Sequence, residues 1–148
     1  MTTPTIRRAR GDDLPAIERL LLASHLPTAG VADALPGFLV AEQDGALVGV
    51  VGIEACCDYG LLRSTAVDAA WRSRGLGRRL VERAIAEAES RGTKALYLLT
   101  TTAERYFPSF GFTTITRDQV PAPVQVSAEF CGACPASATV MTLCLSDA

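Results

Sequence analysis

The segment Arg72-Ser73-Arg74-Gly75-Leu76-Gly77-Arg78 puts three guanidinium groups and two glycines into seven consecutive residues. It lies between an apolar, strand-like run and the start of an amphipathic helix. There, unpaired backbone N–H groups and the positive end of the helix dipole favour an anion. Glycines let the backbone approach that anion closely, so phosphate binding is the chemistry this spacing points to. The competing interpretation is a tight helix entry whose arginines form a solvated face. No Gly-Lys-Ser/Thr follows, which excludes a Walker loop, and the glycine spacing differs from the dinucleotide fingerprint. The anion belongs to another class of ligand.

The elements that must position this loop are legible on either side of it. Leu76, Leu80, Val81, Ala84, Ile85 and Ala88 recur at helical spacing, with charged residues between them, until Gly92. Upstream, residues 5–9 read as a first strand. Gly11-Asp12-Asp13, followed by Leu14, Ile17, Leu20 and Leu21, reads as a capped amphipathic helix. Residues 24–37 carry Pro27 and Pro36 and read as a loop with a short helix, with His25 in it. Residues 38–42 and 46–55 flank Asp44-Gly45, a strong hairpin signal. Residues 61–67 form a further strand. Residues 95–99 read as a buried strand, 102–110 as a short helix stopped by Gly111, and 112–116 as extended chain, which implies a parallel crossover. Residues 120–135 mix prolines and cysteines before a closing strand at 138–145. The order is β-α-β-β-β-α-β-α-β-β, an α/β fold on one mixed sheet, expected as a single domain over residues 1–148.

The totals narrow the classes of function. The chain has 148 residues, enough for one core, and 49% hydrophobic with 20% charged residues is globular. Fourteen basic against 16 acidic side chains leave a net charge of −2, which gives no general reason to expect nucleic acid or an anionic membrane as partner. No apolar run approaches about 18 residues and the start reads as folded sequence, so the expected location is the cytoplasm. Cys56, Cys57, Cys131, Cys134 and Cys144 are odd in number, which argues against a disulfide framework. The Cys131/Cys134 pair has no second pair or histidine at zinc spacing, so no metal is expected.

Residues 62–77, the following helix and strand, and Tyr106-Phe107-Pro108-Ser109-Phe110-Gly111-Phe112 together resemble the GNAT superfamily of acyl-CoA N-acyltransferases, in element order along the whole chain. The resemblance implies a mostly antiparallel sheet with a central parallel pair, residues 61–67 and 95–99, splayed to hold CoA. It implies acetyl-CoA as cosubstrate, with Arg72, Gly75 and Gly77 at the motif positions that receive the pyrophosphate and Ser73, Arg74, Leu76 and Arg78 beside them. The main chain of Thr65, Ala66 and Val67 would bond the pantetheine arm, and Thr100 stands where relatives often have an asparagine near it. Backbone N–H groups in such a slot could polarise the thioester oxygen.

An attacking amine must be neutral, and deprotonating a lysine-type amine at pH 7 costs about 4.6 kcal/mol. Glu54, at a strand end, is the leading candidate for a base, with a surface carboxylate as the alternative. The family's usual acid is a tyrosine four residues before the Gly-Phe pair. Here that position is Phe107 and the tyrosine is Tyr106, about a hundred degrees away on a helix. Tyr106 is the candidate acid, with a core-facing ring as the alternative, and a good thiolate leaving group can also do without an acid. Arg63, charged within an apolar strand, either holds a substrate carboxylate or pairs with an acidic neighbour.

Leu61-Leu62-Arg63-Ser64, residues 97–103 and Cys134-Pro135-Ala136-Ser137-Ala138 look more narrowly like the arsenic-resistance N-acetyltransferases, similar to amino-acid N-acetyltransferases. This likeness implies a small primary amine as substrate, an amino acid or analogue, with Ser127 and Ser137 near it. It also raises a Cys131/Cys134 metalloid site, against buried small hydrophobes. Protein N-acetylation and a non-catalytic CoA or thiol-metalloid sensor stay open as alternatives, and a homodimer would be unsurprising.

Overall fold

A computed structural model describes residues 3–72, 74–101, 103, 105–125 and 138–145. The strands are β1 (Thr5–Arg8), β2 (Phe38–Gln43), β3 (Ala46–Cys56), β4 (Tyr59–Val67), β5 (Ala95–Thr100), β6 (Thr113–Ile115) and β7 (Thr139–Cys144). The helices are α1 (Leu14–Ala23), α2 (Val31–Ala34), α3 (Leu76–Ser90) and α4 (Ala122–Gln125). All seven strands join one sheet in the order β1-β2-β3-β4-β5-β7-β6, antiparallel throughout except for β4 beside β5.

Asp44 and Gly45 both have positive φ, 53° and 82°, as a two-residue hairpin turn demands. The expected crossover after β5 takes a different form. β6 does run parallel to β5, but β7 lies between them and pairs antiparallel with both. The expected helix at 102–110 is, in its described part, a single 3-10 turn over Phe107–Phe110, since Pro108 at its start suits a turn entry and Gly111 (φ 102°) ends it.

Apolar periodicity decides what each face carries. α3 lays Leu76, Leu80, Val81, Ala84 and Ala88 on one side of the sheet, against Leu39, Val51, Leu62, Leu96 and Leu98, and Phe107 and Phe112 extend that layer. The other side carries two separate clusters. Ile17, Leu20 and Leu21 of α1 pack with Val31, Phe38, Val40, Val50 and Ala66, whereas Val120 and Val124 cover Leu61, Ala95, Tyr97 and Val140. Arg63 lies in the gap between these clusters.

Two irregularities shape β4. Its register against β3 runs Val50↔Ala66 and then Gly52↔Arg63, so Val51 faces both Ser64 and Thr65. This is a bulge, and Ser64 adopts φ 61° within it. Against β5, β4 pairs only at Tyr59↔Ala95, Gly60↔Leu96 and Leu61↔Tyr97. β4 then continues to Val67 and β5 to Thr100 with no ladder between them, which leaves a V-shaped opening at their carboxyl ends.

Candidate active site

The mouth of the V is bordered by the arginine and glycine loop. Gly75 caps α3 with φ 80°, a conformation that disfavours any side chain, and no side chain caps the helix. The first turn of α3 also carries no acidic residue, so nothing in that turn neutralises its N–H groups and dipole. Gly77 is different: a Cβ there would make only ordinary contacts of 3.6 Å with Tyr106 Oη and Val67 Cγ2. Internal packing therefore does not demand glycine at 77.

The arginines of the loop are aimed by specific contacts. Arg72 Nε donates to the Val67 carbonyl at 3.0 Å, which ties the loop to the end of β4. Arg74 lies over the Trp71 ring at 4.9 Å and Arg78 over Phe110 at 4.4 Å. Arg78 Nη2 also donates to Ser109 Oγ at 2.8 Å. Thr65 and Val67 are half-buried and Ala66 is buried on β4. Across the V, Thr100 is buried at the end of β5 and its Oγ1 accepts from the Ala103 N–H at 2.9 Å.

Two residues past the last β4–β5 pair stands Arg63. Its side chain is 0% exposed, and Nη1 reaches Glu54 Oε1 at 3.0 Å. Nη2 donates to the Ala29 carbonyl at 2.6 Å and Nε to Ser64 Oγ at 3.1 Å. Glu54 faces Leu61 in the β3–β4 register and is 22% exposed at its side chain. The candidate base and the arginine of the apolar strand therefore meet. The pairing was readable in principle: Cys57-Asp58 is a two-residue turn, and starting β4 at Tyr59 puts Glu54 and Arg63 on one face. The bulge at Ser64 and the Ala29 carbonyl had no comparable signal.

Tyr106 lies at the other end of the site. Its ring packs edge-on against Phe107 and Phe110, and its hydroxyl stands over the first turn of α3. Burial pushes its pKa up, Arg78 pulls it down and Glu82 adds to the rise, with burial dominant, so the hydroxyl stays protonated. Phe107, at the family's usual acid position, is buried in the α3-side layer.

A cavity of about 740 Å³ opens at the opposite end of the sheet, lined by Asp33, Pro36, Tyr59, Glu87 and Arg91. It reaches Glu54 but none of the loop residues. His25 is exposed, with φ 59°. Ser73, Ser127, Ser137, Cys131 and Cys134 lie outside the described residues. Among the described residues, no group of three or more His, Cys, Asp or Glu could hold a metal, and no helix is long and apolar enough to cross a membrane.

The model of the acetyltransferase (GNAT) domain family matches residues 35–114, from the end of α2 through the loop and α3 to β6. The chain belongs to the GNAT family. It is an acetyl-CoA-dependent N-acyltransferase, and the uncapped α3 terminus, Gly77 and the open V suit that cosubstrate. An amino-acid acetyltransferase of Mycobacterium tuberculosis is 34% identical over 140 residues, covering 86% of this chain and 78% of that protein. A solved Mycobacterium tuberculosis structure in complex with CoA superposes with a TM-score of 0.78 at 27% identity, covering 97% of this chain and 100% of that one. N-acetylglutamate synthase from Neisseria gonorrhoeae, complexed with coenzyme A and N-acetyl-glutamate, gives 0.83 at 23% identity over 99% of this chain. The chain spans only 36% of that synthase, and this likeness speaks for the fold alone.

Proposed function

We propose that this GNAT enzyme, acting as one domain in the cytoplasm, acetylates the amine of a small amino acid or amino-acid analogue by direct transfer in a ternary complex. The observation that carries this reading is the Arg63–Glu54 pair just inside the V. It supplies a partly open carboxylate that an amine would seek where the opening narrows, and behind it an enclosed cation whose charge favours a carboxylate-bearing acceptor. The 34% identity to an amino-acid acetyltransferase supports the same acceptor class. An arsenic-linked amino acid is a finer version of this proposal, with Ser127 and Ser137 as further acceptor contacts.

Bound acetyl-CoA would supply an activated acetyl group. Arg72, Ser73, Arg74, Gly75, Leu76, Gly77 and Arg78 hold its pyrophosphate, and the main chain of Thr65, Ala66 and Val67 with Thr100 lines the pantetheine arm. The acceptor nitrogen attacks the thioester carbonyl carbon, the C–N bond forms, and the C–S bond breaks. Glu54, directly or through one water, takes the proton the nitrogen sheds. The CoA thiolate leaves as a stable anion and picks up its proton from solvent.

The test is free-thiol release from acetyl-CoA against amino acids, their arsenic and phosphorus analogues, and lysine peptides. Turnover with one free amino-acid class is expected. Turnover with peptides alone would replace this reading with protein N-acetylation, and tight acetyl-CoA binding without turnover on any amine would favour a sensor.

A further inference from the structure

Tyr106 is the tyrosine nearest the position from which relatives protonate the leaving thiolate, yet its surroundings belong to the loop. It immediately precedes the 3-10 turn Phe107–Phe110, and that turn is latched onto α3. Arg78 Nη2 donates to Ser109 Oγ, and Ser109 Oγ donates to the Tyr106 carbonyl at 2.7 Å. The Arg78 guanidinium covers Phe110, which in turn packs against the Tyr106 ring at 5.2 Å. The first turn of α3 and the Tyr106 backbone are thus a single unit, and the ring has little freedom to swing.

That unit holds Tyr106 Oη 3.6 Å from where a Cβ on Gly77 would be. The space left by the missing side chain is therefore roofed by a hydroxyl. This hydroxyl makes no hydrogen bond to another described residue and is 38% exposed with its residue. Val67 Cγ2 lies at the same distance from that point, which fixes the level of the hydroxyl along β4. Arg63 is four residues further down the strand, and because Ser64 and Thr65 share one step it lies about 10 Å away at the strand rise. The reacting carbonyl and sulfur lie a pantetheine arm away from the pyrophosphate, so one rigidly held hydroxyl cannot serve both.

We propose that Tyr106 is a donor-binding residue: its hydroxyl donates a hydrogen bond to a phosphate oxygen of acetyl-CoA at Gly77 and does not protonate the departing thiolate. The inference rests on the assignment of the pyrophosphate to the loop at residues 72–78. It accounts for the tyrosine standing at 106 rather than 107: position 107 faces the buried layer, and 106 faces the anion. A protonated hydroxyl is what this role needs, and burial keeps Tyr106 in that form.

Tyr106→Phe removes the hydroxyl and keeps the ring packing. A hydrogen bond to a charged group corresponds to about a tenfold change in affinity or more. Calorimetric titration should show CoA binding about tenfold more weakly to the variant, with pantetheine, which lacks the phosphates, binding equally to both proteins. With an accepted amine, KM for acetyl-CoA should rise about tenfold while kcat stays within about twofold. Equal weakening toward pantetheine, no weakening toward CoA, or a fall in kcat at unchanged KM would overturn the proposal, the last restoring Tyr106 as the acid. Failure of the underlying loop assignment is read separately: Arg72→Glu would then keep full CoA affinity, whatever Tyr106→Phe does.

Discussion

Arg63 Nη1 and Glu54 Oε1 lie 3.0 Å apart, on neighbouring strands, with the cation wholly enclosed and the carboxylate partly open. Glu54, the Ala29 carbonyl and Ser64 Oγ are among the groups that make an enclosed guanidinium tolerable. Glu54 therefore bears on stability as well as on catalysis, and its substitutions must be read on both scales.

Glu54→Ala should cost about 3 kcal/mol in urea unfolding, since it removes a hydrogen-bonded carboxylate from an enclosed cation. Glu54→Gln keeps an acceptor for Arg63 and should cost less. If Glu54 is the base, kcat of the Gln variant should fall about 100-fold, with the pH profile losing its acidic limb. A stable Gln variant with undiminished kcat would leave Glu54 only the role of counter-ion.

The two glycines of the loop should respond oppositely. Gly75→Ala forces a side chain into φ 80° and should destabilise the fold by about 1 kcal/mol. Gly77→Ala meets no protein atom closer than 3.6 Å and improves helix propensity, so thermal stability should hold or rise. Its acetyl-CoA affinity should nonetheless fall. Unchanged affinity would remove Gly77 from the donor site.

Arg72→Glu reverses charge on an exposed side chain, so circular dichroism and melting should barely move, within about 0.5 kcal/mol. CoA binding should be lost at physiological salt. In wild type, rising salt should weaken CoA more than pantetheine, because screening acts on the phosphates.

Acid sensitivity should trace to β1. Arg7 donates to both Asp13 oxygens, at 2.8 and 3.1 Å, and to Glu42 at 2.8 Å. These bonds hold the Asp13 carboxyl below its ordinary value of 3.8. A lowered folded pKa stabilises above the unfolded value, so this contribution is complete above about pH 5 and is lost as pH falls through the folded pKa. Asp13→Asn should lower stability at pH 7 and flatten its decline toward pH 3; an unaltered acid limb would place the sensitivity elsewhere.

Thiol reactivity should follow burial. Cys56 is buried, and its pKa is raised by that burial to about 11, whereas Cys57 next to it is exposed. Peptide mapping after brief alkylation at pH 8 should find Cys57 modified well before Cys56. Equal labelling would mean the β3–β4 hairpin opens readily.

Much of this fold is legible where one force dominates. The stripe on α3, the Asp44-Gly45 turn and the apolar strands each follow from local periodicity or turn chemistry. Residues 102–110 are less so, because Pro108 and three aromatics satisfy a helix pattern and a packed turn equally well. The V is only half legible. Its strands are apparent from composition, but the point of parting depends on register, which is a long-range property. Arg63 shows the same division: its charge in an apolar strand is visible locally, but its partner is fixed by where a neighbouring hairpin turns.

The extra residue in β4 has a consequence for how the chain tolerates length changes. Side chains on a strand normally alternate sides, so residues three apart face opposite ways. Arg63 and Ala66 nevertheless share one side, and Leu62 and Val67 share the other, because Ser64 and Thr65 together occupy a single step opposite Val51. The strand is thus written in two reading frames that join at this dipeptide. Deleting one of its members would leave a single residue opposite Val51, a regular ladder in which Arg63 and Ala66 keep the side they share. A single-codon loss here would thus be absorbed by the ladder, removing the bulge and leaving Arg63 on its own side, whereas the same loss in the regular part of β4 would set one frame against the other.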